Sequence, residues 1–113
     1  MSKYSRKFLV GVEHYEGFFP KRYKDPVGKW TIGIGHLLTP ADSYTPSTIL
    51  SHEEAVDLLI SDLDDANKQL LRAWPAFMNI QENKREALIS WVFNLGIGNF
   101  KDSTMFKQLL VGN

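Results

Sequence analysis

Cysteine is absent from the 113 residues, which excludes disulfide frameworks, thiol nucleophiles and Cys-based zinc sites at once. Net charge is absent too, because thirteen Lys and Arg balance thirteen Asp and Glu. Without a basic field, nothing in the composition points to nucleic acid or to an anionic membrane as a partner. Long apolar runs are also missing: LISWVFNLGIG is among the longest, and it is too short and interrupted to span a bilayer, so no stable membrane insertion is expected. The opening MSKYSRKFLVGVEHYEG lacks the apolar core and small-residue cleavage site of a signal peptide. The expectation is a protein made in the cytosol and released by something else. Histidine is scarce, and His14, His36 and His52 fall on three different elements with no HExxH among them. No metal site and no cofactor are therefore expected.

What is present suits one compact domain, with 43% hydrophobic and 23% charged residues. No repeat or low-complexity linker interrupts it. Phe8, Leu9 and Val12 recur at helical spacing between Ser5 and Tyr15, with Gly17 as the stop. Residues 18 to 38 turn to strand chemistry, and Asp25-Pro26-Val27-Gly28 has the residues of a type I turn, so a small antiparallel hairpin is expected. Thr39 to Ile49 is loop-like. Ser51 with Glu54 forms a capping box that opens a helix to about Arg72, with Ala55, Leu59, Leu63 and Leu70 on its apolar stripe. Trp74-Pro75 ends that pattern. Glu82 to Leu95 reads as a helix apolar almost all round, a type normally buried centrally. Gly96 stops it, and Asp102 or Ser103 can cap a last helix before the chain ends at Gly112-Asn113. The fold class is α+β, mainly helical.

Two carboxylates draw attention. Glu16 falls at the C-terminal end of the first helix, where the helix dipole disfavours an anion. Beside Phe18 and Phe19, such a carboxyl tends to keep its proton, which a general acid needs. Alone it reads more simply as a solvated helix-end glutamate. Asp25 alone reads as a turn residue. Together they flank a hairpin in which strict alternation puts Thr31, Gly33 and Gly35 on one small face, opposite Trp30, Ile32, Ile34 and His36. Small residues let a bulky substrate approach the backbone. One acid to protonate a leaving oxygen and one base to steer water is the equipment of glycoside hydrolysis.

The pattern Glu16-x8-Asp25-x5-Thr31, within EG…Y-x-D-x-x-G-x-x-TIGIGH, resembles the catalytic signature of the phage-type lysozymes, the glycoside hydrolase family 24 endolysins. SHEEAVDLLISDL is similar to the family's long connecting helix, and ALISWVFNLGIGNFKDST to its central helix and following turn. TIGIGHLLT is especially close to T-even phage members. The resemblance implies a lysozyme-like fold: an N-terminal helix and β lobe over residues 1–50, a connecting helix over 51–72, and the start of a helical C-terminal lobe over 73–113. It implies that Glu16 is the general acid, that Asp25 activates the attacking water, and that Thr31 holds that water. Cleavage would fall on the β-1,4 bond between N-acetylmuramic acid and N-acetylglucosamine of peptidoglycan glycan strands, with inversion. Leu37, Phe93 and Ser103 match family positions that line the sugar cleft, although Leu37 and Phe93 also suit a core and Ser103 a helix cap. The family continues through further helices beyond LLVGN, including an arginine partner for the glutamate, so incomplete cover for helix 82–95 is expected. It also implies a monomer, made in the host cytoplasm, that depends on a holin to reach the wall.

Three readings compete with hydrolysis. A non-catalytic peptidoglycan-binding module would be free to lose Glu16, Asp25 or Thr31, and all three are present. A metalloprotein would have to gather the three scattered histidines. A lytic transglycosylase would use one carboxylate, whereas Asp25 with Thr31 argues for water. One structural pair is also expected. His36 on the strand's core side and Asp62 on the apolar stripe of the long helix are each costly to bury alone, so they should meet as an ion pair.

Overall fold

The computed structural model describes residues 3–110, the last two by backbone alone. The expected chain end at Gly112-Asn113 lies outside the described residues. Five α-helices and three strands follow in order: α1 (Arg6–Glu16), β1 (Phe19–Lys24), β2 (Trp30–Gly33), β3 (His36–Leu37), α2 (His52–Ala73), α3 (Glu82–Leu95), α4 (Ile97–Lys101) and α5 (Thr104–Leu110). The fold is mixed α and β, mainly helical, with one small antiparallel sheet of order β1-β2-β3. Contacts divide the chain between Ser61 and Asp62, inside α2, into two compact units.

In the first unit, Ser5 caps α1 by accepting the Phe8 N–H at 3.2 Å. Val12 is the buried residue of that helix. The turn between β1 and β2 closes as expected, with Gly28 N–H donating to the Asp25 carbonyl at 2.9 Å. The capping box of α2 also forms: Glu54 N–H donates to Ser51 Oγ at 3.1 Å, and Ser51 N–H to Glu54 Oε1 at 2.9 Å.

The sheet corrects the sequence reading. Residues 18 to 38 make three strands rather than one hairpin, with Thr31 opposite Leu37 and Ile32 opposite His36. Alternation fails because Gly33 and Gly35 have φ of +69° and +73°, conformations that end a strand. The chain turns at Ile34-Gly35, so Thr31, Ile32, Gly33 and Ile34 are all buried while Trp30 is 42% exposed. The small face is not open along its length either. A Cβ on Gly33 would meet Leu50 and Ala55 side chains at 3.5 and 3.6 Å, so that glycine faces packed core.

In the second unit, the stripe of α2 continues through Leu63, Ala66 and Leu70, all buried. After Trp74 a short 3-10 helix, Pro75–Asn79, drops Phe77 fully into the core. An aromatic cluster completes it: Phe100 meets Trp91 at 5.4 Å and Phe106 at 4.8 Å between ring centroids. Helix α3 is less covered than its composition suggests. Only Ile89 and Val92 are buried, and Leu95 is 51% exposed. Being apolar all round sets what a helix could bury, while the neighbouring elements set what it does bury. Ser103 caps α5, accepting the Phe106 N–H at 3.0 Å, and α4 before it was not anticipated.

Candidate active site

Glu16 is the last residue of α1, and the chain leaves the helix at once through Gly17 at φ 80°. Its carboxyl is half-buried, and buried Oε2 has no hydrogen-bond partner among the described residues. Burial raises its pKa above the usual carboxylate value of 4.5. The negative end of the helix dipole acts in the same sense. The other oxygen abuts the turn between β2 and β3: a Cβ on Gly35 would lie 2.7 Å from Glu16 Oε1. This carboxyl is tucked in, short of donors, and held toward its protonated form.

Asp25 is built differently. Its Oδ1 accepts the N–H of Val27 at 3.0 Å and that of Lys29 at 2.8 Å, a side-chain turn that fixes the carboxylate plane. Oδ2 takes no hydrogen bond among the described residues. One oxygen holds the turn, and the other can accept a proton from water.

Thr31 lies in the middle of a transverse row of the sheet, with Tyr23 of β1 on one side and Leu37 of β3 on the other. Directly opposed residues present their side chains to the same face. Thr31 is 5% exposed, and its hydroxyl donates to the Lys29 carbonyl at 3.2 Å, which leaves its lone pairs as acceptors. Leu37 is 46% exposed and so is not core. Tyr23 escaped the sequence reading, which used it only as part of a motif. Burial, then the charges of Glu16 and Asp25, raise its phenol pKa above 10.0, so its ring stands in the field of both carboxylates. The Tyr-x-Asp spacing was the available signal, since it sets the ring one strand position from the turn.

The remaining expected residues lie on other elements. Phe93 is half-buried on α3, and the Ser103 hydroxyl donates to the Phe100 carbonyl at 2.6 Å while capping α5. His36 Nε2 lies 3.2 Å from Asp42, a partner the sequence reading overlooked. Asp42 also accepts the Thr39 N–H at 2.7 Å, so this cluster ties the 39–44 loop to β3. Asp62 is half-buried on α2 and belongs to the second unit. His52 Nε2 lies 2.6 Å from Glu13 Oε1, linking the start of α2 to α1. Among the described residues no group of three His, Asp or Glu has the geometry to hold a metal ion. No helix among them is long and apolar enough to cross a membrane.

Comparison with known proteins finds similar chains. The phage lysozyme family model matches residues 13–113. An endolysin of Acyrthosiphon pisum secondary endosymbiont phage 1 is 32% identical over 109 residues, covering 96% of this chain and 70% of that protein. A SAR-endolysin of bacteriophage PS119 is 34% identical over 106 residues, covering 91% of this chain and 59% of its own length. Among solved structures, the muramidase domain of SpmX from Asticaccaulis excentricus superposes with a TM-score of 0.76 at 26% identity, over 99% of this chain and 72% of that one. The chain belongs to the phage lysozyme family and is a glycoside hydrolase of the endolysin kind.

Proposed function

We propose that the protein hydrolyses the β-1,4 bond between N-acetylmuramic acid and N-acetylglucosamine in peptidoglycan, with Glu16 as general acid and Asp25 as general base. The proton of Glu16 passes to the glycosidic oxygen as its bond to the anomeric carbon breaks. Water adds its oxygen to that carbon from the opposite face, and its proton goes to Asp25 Oδ2. Thr31, with its hydroxyl spent as a donor on Lys29, accepts a hydrogen bond from the same water. Attack from the opposite face inverts the configuration, so the new reducing end is the α-anomer.

The observation that carries this reading is the contrast between the carboxyls. Glu16 is half-buried, with an oxygen lacking any partner among the described residues, and burial raises its pKa. Asp25 is anchored through one oxygen with the other left to work. Two carboxyls in environments that separate their roles are what acid–base hydrolysis requires. Leu37, beside Thr31 in the sheet, is proposed to touch the sugar. Sugar contact by Phe93 and Ser103 is proposed on the family resemblance alone. The protein is further proposed to act as a monomer, and to be held in the host cytoplasm until it reaches the wall through a holin pore. The SAR-endolysin name of one relative points to a route without a holin, and expression with and without a holin decides between them.

The test is digestion of purified peptidoglycan by the chain and by Glu16→Gln, with products identified by mass and anomer. Loss of new reducing ends in the variant, with cooperative melting retained, is expected. Retention of more than a few per cent of activity would remove Glu16 from the acid role. Binding without any turnover by the parent chain would instead favour a wall-binding module.

A further inference from the structure

We propose that Phe19 is a stacking platform for the leaving sugar, its open ring face lying against the C–H face of an N-acetylglucosamine. This rests on hydrolysis with Glu16 as the acid. Two phenylalanines follow that acid after Gly17, and their rings go different ways. Phe18 is half-buried, edge-on to the His52 ring at 5.3 Å between centroids. Phe19 turns elsewhere and stays 41% exposed.

A single exposed phenylalanine is ordinary. This one is held from two sides. Its ring rests on Tyr23, with centroids 4.2 Å apart and planes 38° from parallel. Its edge lies over the backbone next to the acid: a Cβ on Gly17 would sit 3.0 Å from Phe19 Cε2 and 3.5 Å from its Cζ. Tyr23 covers one face and Gly17 one edge, which leaves the opposite face to solvent. A ring fixed in this way loses little freedom when a ligand lands on it.

Position and chemistry select the ligand. Tyr23 opposes Thr31, and Asp25 follows two residues later, so water is steered at that end of β1 while Phe19 stands at the acid's end. The oxygen that takes the Glu16 proton belongs to the leaving sugar. A β-1,4-linked pyranose keeps its hydroxyls at the rim and its C–H bonds on its faces. Those weakly positive hydrogens suit the negative face of an aromatic ring, and stacking removes apolar surface of both from water. N-acetylmuramic acid is branched at O3 by its lactyl ether, whereas N-acetylglucosamine is unbranched there and can lie flat. The contact is present before and during bond cleavage, so it acts on affinity and leaves the chemical step alone.

Hydrolysis of solubilised glycan strands by the parent, Phe19→Leu and Phe19→Trp tests this. Phe19→Leu keeps bulk over Gly17 but removes the flat face, so KM should rise about fivefold to tenfold with kcat within about twofold. Phe19→Trp renews the face and should bring KM back to within about threefold of the parent. A second measurement needs no turnover. Chitotetraose, an unbranched oligomer of N-acetylglucosamine, is titrated into Glu16→Gln and followed by NMR. C–H protons of one sugar should move upfield, as protons do over an aromatic face, and should stay in place with Glu16→Gln/Phe19→Leu. An unchanged KM in Phe19→Leu overturns the inference. So does a fall in kcat alone, which would make the ring a prop for Tyr23, and so do upfield shifts that persist in the double variant. If the parent releases no reducing ends while the Phe19-dependent shifts are present, the hydrolysis reading falls and the platform stands.

Discussion

Gly35 stands so close to Glu16 that a Cβ on it would sit 2.7 Å from the carboxylate Oε1. Glycine is needed here twice, for this approach and for a φ of +73°. The atom in the way is the end of a flexible side chain, so Gly35→Ala should displace the carboxyl more readily than the backbone. The stability cost should be about 1 kcal/mol, mainly for an alanine at positive φ. Wall hydrolysis should fall more than tenfold, since a displaced acid loses its geometry. Melting and turnover measured on one preparation check this. Unchanged turnover would mean the acid does not need that wall.

Glu16 itself should weaken the fold at neutral pH. Its folded pKa is raised by burial above 4.5, so in the window from 4.5 up to the folded value the native state binds more protons than the unfolded chain. Stability therefore falls as pH rises through that window and stays lower above it. Glu16→Gln should melt higher than the parent at pH 7, and the difference should vanish below about pH 4. An equal gain at every pH would assign the effect to packing instead of charge.

At Asp25 the two oxygens can be separated by mutation. Asparagine keeps Oδ1 to accept the Val27 and Lys29 N–H groups, so Asp25→Asn should preserve the turn and melt near the parent. It should lose nearly all hydrolysis, because an amide cannot take the proton of water. Asp25→Ala should lose both, with a further cost on the order of 1 kcal/mol for the turn. If Asp25→Asn kept substantial activity, Asp25 would be a turn residue only.

His36 lies 3.2 Å from the Asp42 carboxylate. Burial tends to raise the Asp42 pKa, but hydrogen bonds from the Thr39 backbone and the His36 ring, the His36 charge and the Thr39 hydroxyl hold it below 3.8. Its contribution is thus present above 3.8 and lost as pH falls through the folded value, so Asp42→Asn should destabilise at neutral pH and little near pH 2. Double-mutant cycles of His36→Asn with Asp42→Asn and with Asp62→Asn weigh the partners. The first should show coupling on the order of 1 kcal/mol. Coupling in the second would support the pair expected from sequence, and strict additivity there would leave His36 to Asp42.

Local chemistry was legible in the sequence wherever a side chain bonds within its own turn. Ser5, the Ser51–Glu54 box, the Asp25 turn and the Ser103 cap all follow from residue type and spacing. The third strand was hidden because a Gly-rich run such as Gly33-Ile34-Gly35 fits alternation on paper and a positive-φ turn in space equally well. Burial of α3 could not be read either, since Leu95 and Val92 look alike in sequence and differ only in their neighbours. The Tyr23 ring became visible as part of the site only once β1 and β2 were in register.

The two carboxyls are held at different ranges along the chain. Asp25 is aimed by an N–H four residues away, within a turn that closes on the microsecond scale. Glu16 is aimed by Gly35, which lies on the far side of the whole hairpin. Mild heat or denaturant that parts α1 from the sheet would therefore release the acid while the base is still set. Inactivation should run ahead of the loss of sheet structure, and it should reverse as soon as α1 docks again.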